Sequence, residues 1–254
     1  MTQVGFQSIK SAETETGLRL VLNAGVPGPW SEAAKALFSY HGVAYTPVAQ
    51  LPGQENVELV AWTGHRNAPI AMWQDEPPRT RWLELLMLAE RLGHNESLLP
   101  EDRQQRIQVL GWTHEIAGES GFGWCARQLI FASWARQLSE GEQRHHRMLT
   151  AYDFAAHDAR DMQQRATRFL VEFAEALESS EGPYLIGDRF SAADLYWAYF
   201  SNLLAPMDDQ RNPMVPAARS SYEIPGQHLA GYAPEVLAHR DYMFEHHLQC
   251  PLDF

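Results

Sequence analysis

The sequence has 254 residues, of which 45% are hydrophobic, and its formal net charge is −12. This length and hydrophobic fraction are typical of a globular protein with one large domain or two ordinary ones. A protein that binds nucleic acids must neutralise phosphates with Lys and Arg. The acidic balance therefore excludes a nucleic-acid surface, and no nucleic-acid partner is expected.

The sequence carries no recognisable export or membrane signal. The first ten residues, MTQVGFQSIK, lack a basic flank followed by an apolar stretch, and no run of roughly eighteen apolar residues occurs. Cys125 and Cys250 are the only cysteines and lie far apart, which is too few for a disulfide framework or a thiolate metal site. We therefore expect a cytoplasmic protein that contacts no membrane and binds no metal.

The first part of the chain predicts alternating strands and helices. Leu18 to Asn23 (LRLVLN) predicts a short buried strand, and a turn rich in Gly and Pro separates it from a helix that Gly42 ends. Val43 to Val48 (VAYTPV) predicts a second strand, parallel to the first. A short strand that opens at Pro69 follows, and RTRWLELLMLAERLG then predicts a helix that is apolar over more than one face.

The second part of the chain is helical. From about residue 100 the strand signal disappears and long amphipathic stretches dominate. This change predicts two domains, an α/β domain over residues 17–95 and an all-α domain over residues 100–254. The segment from Pro206 to Pro225 contains four prolines and no periodicity, so it predicts a long loop that is either mobile or part of a site.

The most specific motif is EGPYLIGDRFSAADLYWAYF. Within it, Ser191 and Asp194 predict a capping box, in which each side chain binds the backbone N–H of the other residue. With Gly187, Asp188 and Phe190 in place, the segment resembles the "YL-G-D-(F)-(S/T)-x-A-D" motif of the glutathione transferase superfamily. The resemblance covers nearly the whole chain. It implies a thioredoxin-like α/β domain that binds glutathione, followed by an all-α helical domain.

The turn before the first long helix resembles the active-site turn of the family, where a Tyr, Ser or Cys hydrogen-bonds to the glutathione sulfur. Such help is needed because only the thiolate attacks electrophiles, and a free thiol is mostly protonated at neutral pH. Here the Ser or Cys position is Gly28, which has neither hydroxyl nor thiol. The remaining candidate donors are the Asn23 amide, the Ser31 hydroxyl, and the backbone N–H groups of Trp30 and Ser31 at the helix N-terminus.

The segment Ala68-Pro69-Ile70 resembles the "V-P-x-L" segment of the family, in which the proline is expected to be cis. In the family, the backbone groups of the residue before this proline pair with the cysteinyl backbone of glutathione. The resemblance therefore places Asn67, Ala68 and Pro69 in the glutathione site.

An acidic residue followed by Ser or Thr binds the α-ammonium and the α-carboxylate of glutathione in the family. Here the dipeptide at this position is Arg79-Thr80. Thr80 keeps the hydroxyl and a helix N-terminal N–H for a carboxylate, whereas Arg79 reverses the charge where an ammonium would lie. Glu76 is a possible replacement for the missing acid.

Trp124 and Cys125 lie where the fourth helix of the family lines its pocket for the second substrate, so the resemblance places both at the substrate site. A lone helical cysteine is more commonly a small buried hydrophobe than a nucleophile. The side chains of the adjacent pairs His145-His146 and His246-His247 point about 100° apart on a helix, so neither pair is expected to bind one metal ion through both rings.

The resemblance implies a glutathione transferase-like enzyme that joins the thiolate of glutathione, its cosubstrate, to a small electrophile. Family members bury an apolar patch between subunits, so a homodimer is also expected. The departures at Gly28 and Arg79 keep a second possibility open, which is a noncatalytic binding or interaction module of the same fold.

Overall fold

The computed structural model describes residues 5–254, so the first four residues of the amino-terminal segment lie outside it. These residues form two compact units. The first unit holds the described residues through Leu98 together with Asp209–Met214 and Pro251–Phe254, and the second holds Leu99–Asp208 and Val215–Cys250. No sequence pattern indicates that the two late segments return to the first unit.

The first unit combines a small sheet with four helices, and the second unit is helical within the residues described. The α/β unit followed by the helical unit confirms the expected fold class. The elements of the first unit are α1 (Ile9–Ala12), β1 (Leu18–Asn23), α2 (Pro29–Tyr40), β2 (Tyr45–Gln50), α3 (Val57–Thr63), β3 (Ile70–Trp73) and α4 (Trp82–Leu92). Those of the second unit are α5 (Arg103–Ala117), α6 (Phe122–Ala135), α7 (Glu140–His145), α8 (Arg147–Ala151), α9 (Ala159–Glu178), α10 (Ala192–Phe200), α11 (Pro216–Tyr222), α12 (Ile224–His228) and α13 (Glu235–His246), with 3₁₀ turns at Phe154–Ala156 and Ser201–Leu203.

The sheet has the order β2-β1-β3, with β1 in the centre. Strand β2 runs parallel to β1, in a register that ends with Asn23 opposite Gln50. Strand β3 runs antiparallel to β1, from Leu18 opposite Trp73 to Val21 opposite Ile70. The carboxyl ends of the two parallel strands therefore bring Asn23 and Gln50 together at one edge of the sheet.

Alternation along β1 separates the two faces of this sheet. Val21 packs with Val48 and Ile70 in one buried cluster, which also contains Leu59 of α3. Leu20 and Leu22 are buried as well, and they face the opposite side because successive strand side chains alternate. Both faces of β1 are thus covered, and Leu18 to Leu22 are all buried.

The carboxyl-terminal segment of the chain is held to α2 by a half-buried lysine. Lys35 Nζ lies 2.7 Å from Asp253 Oδ1 and 2.9 Å from Glu32 Oε2, and it also donates to the Asp253 carbonyl. Glu32 is 2% exposed, and burial raises the pKa of its carboxyl to about 7 despite the neighbouring Lys35. The amino-terminal turn of α2 therefore contains a carboxyl group that titrates near neutral pH.

The core of the second unit is built from aromatic rings in contact with one another. Phe173 and Trp197 have ring centroids 4.5 Å apart, and Phe169 lies 5.4 Å from Phe173. Trp197 also donates from Nε1 to the Val236 carbonyl at 2.7 Å, so its buried polar atom is satisfied. These rings belong to α9 and α10, which therefore pack as the centre of the helical unit.

The segment from Pro206 to Pro225 is not the continuous loop that its composition predicts. Helix α11 starts at Pro216, and Pro225 lies in the first turn of α12. Proline is tolerated in the first turn of a helix because the N–H that it lacks would have no intrahelical partner there. The same prolines that argue against a helix interior thus start two short helices.

No helix among residues 5–254 combines the length and the apolar character needed to cross a bilayer.

The predicted capping box at the start of α10 is confirmed, and its acidic member does more than cap. Asp194 is fully buried and accepts hydrogen bonds from the Ser191 N–H at 2.9 Å and the Ser191 hydroxyl at 2.6 Å. It also accepts from the Leu185 N–H at 2.8 Å and lies 2.9 Å from His239 Nε2. One carboxylate therefore joins α10, the turn before it and α13.

We expect Asp194→Ala to lower the free energy of unfolding by about 3 kcal/mol, since several buried groups lose their partner. Ser191→Ala, the matched control, removes only part of the cap and should cost about 1 kcal/mol. Urea unfolding monitored by circular dichroism measures both values. Equal losses in the two variants would contradict the wider role of Asp194.

Candidate functional site

Asn23, the last residue of β1, is tied to two neighbouring elements. Its Nδ2 donates to Gln50 Oε1 at 2.6 Å, and its Oδ1 accepts from the Ser31 hydroxyl at 3.0 Å. Its backbone N–H donates to Ser31 Oγ at 3.1 Å. The predicted site residues Asn23 and Ser31 are therefore brought together, with Asn23 half-buried and Ser31 fully buried.

The Ser31 hydroxyl has one proton, and that proton is directed at Asn23. Its oxygen is also used, because it accepts the Asn23 backbone N–H. A fully buried hydroxyl with both roles filled positions its neighbour instead of offering a free donor to a ligand. Of the two side-chain donors inferred from the sequence, Asn23 is thus the more accessible.

Gly28 forms the N-cap of α2, and Pro29 occupies the first helical position. A Cβ atom at residue 28 would lie 2.1 Å from Asn23 Oδ1, far inside contact distance. The absence of a side chain here is therefore required by the close approach of Asn23. No side chain caps this end of α2, so its positive end faces the turn that precedes it. Trp30, in the first turn, is half-buried.

A cleft of ≈ 570 Å³ lies beside this turn in the first unit. Its lining includes Ala24, whose N–H donates to the Gln50 carbonyl at 3.0 Å. The opposite wall is the loop after β2, which the Asn56 side chain closes through hydrogen bonds to the Leu51 N–H and carbonyl at 3.0 and 2.9 Å. The lining residues are Ala24, Val26, Leu51, Pro52, Gln54, Glu55 and Asn56.

The peptide bond between Ala68 and Pro69 is cis, as the family resemblance implies. Pro69 is buried, Ala68 is half-buried and Asn67 is exposed. Strand β3 begins at the next residue, Ile70, which pairs with Val21 of β1. This segment is therefore anchored to the central strand, and the ligand-binding role of its residues stays a prediction.

Arg79 is held between β3 and an acidic partner. Its backbone exchanges two hydrogen bonds with Ala71, at 2.9 and 3.0 Å. Its guanidinium lies 2.5 Å from Glu76 Oε2, and Arg91 contacts the same carboxylate at 2.7 Å. Hydrogen bonds from Arg91 and Arg79 lower the pKa of Glu76. Glu76 does fold back to this position, and two arginines already bind it.

Thr80 lies two residues before α4, and its N–H is also occupied. Glu84 Oε2 accepts from the Thr80 N–H and from the Arg81 N–H, both at 3.1 Å. Burial raises the pKa of Glu84, but the Arg81 and Thr80 N–H groups outweigh it and hold the pKa below its usual value. A carboxylate of the chain itself therefore binds where the sequence predicts a ligand carboxylate.

Trp124 and Cys125 are neighbours on α6 but face different surroundings. Cys125 is 1% exposed and lines a cavity of ≈ 700 Å³ in the second unit, with Trp112 and Arg165. Burial raises the pKa of its thiol to about 11, so the reactive thiolate is disfavoured. Trp124 instead contacts Tyr152, with ring centroids 6.3 Å apart.

Three residues that contact the predicted site residues are not indicated by the sequence, namely Arg127 beside Trp124, Gln50 beside Asn23 and Glu84 beside Thr80. Arg127 stacks its guanidinium 4.4 Å from the Tyr152 ring centroid and 5.6 Å from that of Trp124, and burial lowers the pKa of Arg127. Gln50 follows the predicted second strand, Val43 to Val48, by two residues, and the observed β2 ends at it.

Within residues 5–254, no three His, Cys, Asp or Glu side chains are grouped so that they could hold a metal ion.

Comparisons with known proteins agree with this architecture. Residues 142–223 match the family described as glutathione S-transferase, C-terminal domain. Among proteins of curated function, none matches the sequence significantly.

Several solved structures share the fold along most of their length. A glutathione S-transferase from Pseudomonas fluorescens is 15% identical, with 93% of this chain and 98% of that chain covered and a TM-score of 0.59. A glutathione S-transferase from Methylobacterium radiotolerans, in complex with glutathione sulfonate, is 14% identical over 87% of this chain and 93% of that chain, with a TM-score of 0.56. A β-etherase from a Sphingobium species is 17% identical over 89% of this chain and 100% of that chain, with a TM-score of 0.58. These matches show that the chain has the fold of these glutathione S-transferases.

Proposed function

We propose that this chain binds the thiolate of glutathione at the first turn of α2 and transfers it to a small electrophile. The observation that carries the proposal is the Asn23 amide, which is half-buried and is held beside the uncapped N-terminus of α2 by Ser31 and Gln50. An N–H donor and a positive helix end both favour an anion such as a thiolate. The fold, shared with transferases whose structures contain glutathione or its sulfonate, supports the same conclusion.

The reaction requires only that the sulfur be ionised and positioned. The thiol proton leaves to solvent, and the sulfur electron pair forms a C–S bond with the electrophilic carbon. In a substitution the leaving group departs with its bonding pair, whereas in an addition the displaced pair takes a proton from water. The contribution of Asn23 is a hydrogen bond to the sulfur anion, which lowers the thiol pKa.

Glutathione fits the two ends of this site unequally. The sulfur end meets the Asn23 amide and the end of α2. The amino-acid end meets the start of α4, where Glu84 already accepts the Thr80 N–H at 3.1 Å. It also meets the cluster formed by Arg79, Glu76 and Arg91, whose charges sum to +1 because two arginines share one carboxylate. We propose that the sulfur and the peptide backbone near Ala68 provide most of the binding, so affinity is low.

A noncatalytic binding module of the same fold is the second candidate. One specific observation favours it, namely that the only hydroxyl of the first turn of α2, that of Ser31, is fully buried and committed to Asn23. Asn23 would then hold a thiol without activating it.

We propose a cytoplasmic location for either function, since a reducing compartment keeps glutathione as the thiol. The free cysteines of the chain are consistent with it.

The proposed activity is tested by the pKa of the thiol of bound glutathione, read from the ultraviolet absorbance of the thiolate, and by conjugation of a chromogenic chloronitrobenzene. We expect wild type to lower the thiol pKa, and Asn23→Ala to lose the shift and about 100-fold in kcat, the usual cost of removing one donor to a developing anion. Asn95→Ala, an exposed asparagine of the same unit, is the control. Binding with an unshifted thiol pKa and no conjugation would establish the noncatalytic alternative.

The charge of the α4 cluster predicts the effect of Arg79→Glu. This substitution changes the sum of the three charges from +1 to −1, which favours the α-ammonium of glutathione. We expect Kd for glutathione to fall about tenfold at low salt and less at moderate salt, because exposed charges are screened. Arg103→Glu makes the same change in net charge on α5 in the second unit. Calorimetric titration that finds weaker binding in Arg79→Glu would show that Arg79 contributes to the glutathione site.

We also propose a homodimer that uses α4. Leu85, Leu86 and Leu88 of this helix are buried, whereas Leu83 and Met87, one turn apart, are 41% and 39% exposed. Light scattering should give about twice 28.8 kDa, and Met87→Glu should shift the mass towards one chain because a charge would enter the apolar contact. Val171→Glu, at another exposed apolar residue, is the control. A single-chain mass for wild type at micromolar concentration would refute the dimer.

A further inference from the structure

We propose that Gln50 is a positioning residue, which fixes the Asn23 amide so that its N–H side, and not its carbonyl, is presented to the sulfur. This role rests on the proposed function. It follows from a chain of hydrogen bonds that runs from the Leu51 carbonyl through Gln50 and Asn23 to Ser31.

The direction of this chain is fixed at its first end by a group that can only accept. Gln50 Nε2 lies 3.3 Å from the Leu51 carbonyl and donates to it. The other side of the Gln50 amide, Oε1, must therefore face Asn23, and it accepts from Nδ2 at 2.6 Å. An Asn23 amide rotated by half a turn would place two oxygens at this short distance, which is repulsive.

The second end, at Ser31, is satisfied in the same orientation. The Asn23 backbone N–H donates to Ser31 Oγ at 3.1 Å, so the Ser31 hydroxyl proton is directed elsewhere. It meets Asn23 Oδ1 at 3.0 Å. The Gln50 end therefore assigns the orientation of the Asn23 amide, and in that orientation the buried Ser31 hydroxyl proton also has an acceptor, which resolves the usual ambiguity between amide oxygen and nitrogen.

Burial makes this orientation stable. Gln50 is 3% exposed and Ser31 is fully buried, so water does not replace the bonds that rotation of the amide would break. The Asn23 oxygen also lies close to the backbone of Gly28, because a Cβ atom added at Gly28 would be 2.1 Å from Asn23 Oδ1. Asn23 itself is half-buried, and within residues 5–254 Gln50 is the one acceptor of its amide nitrogen. The second N–H of that nitrogen is left for a ligand.

The test is a double-mutant cycle with Gln50→Leu and Asn23→Ala, read as the thiol pKa of bound glutathione. Without Gln50 the Asn23 amide can rotate. We expect Gln50→Leu to raise the thiol pKa by about one unit, a tenfold loss of thiolate at a given pH. In the Asn23→Ala background the same substitution should change nothing, because Gln50 acts through Asn23. Equal effects in both backgrounds would overturn the inference.

Two further variants separate positioning from stability. Thr63→Val removes another buried hydroxyl of the first unit, which donates to the Leu59 carbonyl at 2.8 Å. We expect it to lower the melting temperature and leave the thiol pKa unchanged. Gln50→Glu keeps an acceptor towards Asn23, so its bound thiol should keep a lower pKa than that of Asn23→Ala, and it provides the test should Gln50→Leu not fold. A thiol pKa equal to that of Asn23→Ala would overturn the role.

The inference and the proposed function fail in different ways. If wild type does not lower the thiol pKa, the proposed function is wrong and the role of Gln50 is lost with it. If Asn23→Ala raises the thiol pKa while Gln50→Leu behaves as wild type, only the role of Gln50 is wrong.

Discussion

The contact on which the candidate site depends is the pair of hydrogen bonds between Asn23 and Ser31, because it joins the end of β1 to the first turn of α2. These bonds hold the Asn23 side chain against the backbone of residue 28, where a Cβ atom would lie 2.1 Å from Asn23 Oδ1, so this residue must be glycine. Through Gln50 the same side chain is tied to β2. The site is therefore rigid where the sheet, the turn and the helix meet, and rigid placement of a donor is what anion stabilisation requires.

The start of α4 illustrates the opposite principle, in which a chain satisfies its own charges. Glu84 accepts hydrogen bonds from the N–H groups of Thr80 and Arg81, which precede α4. Glu76 is shared between Arg79 and Arg91. Both arrangements are local and polar, so a ligand gains there only the difference between its own interactions and those that it displaces. In the proposed function, selectivity for one thiol over another is assigned to the α4 end and reactivity to the α2 end.

Local sequence patterns predicted the elements that frame the site. The bounds of β1 and the capping box of Ser191 and Asp194 were identified, since each depends on residues close together in the chain, and the cis peptide before Pro69 was implied by the family resemblance. Strand β2 was placed two residues too early, because it begins at Tyr45 instead of Val43. The partners of Lys35 were not identified, because Asp253 lies at the other end of the chain.

The sequence by itself determined the fold class, the order of strands and helices, and the residue types available at the turn, because periodicity, glycine and proline act over a few residues. The tertiary structure alone decided which of these residues meet. It buried the Ser31 hydroxyl against Asn23 and placed Gln50 within hydrogen-bond distance of the Asn23 amide. It also gave the adjacent residues Trp124 and Cys125 different neighbours. Hydrogen-bond direction and burial depend on groups brought together by packing, and no local pattern in one sequence specifies them.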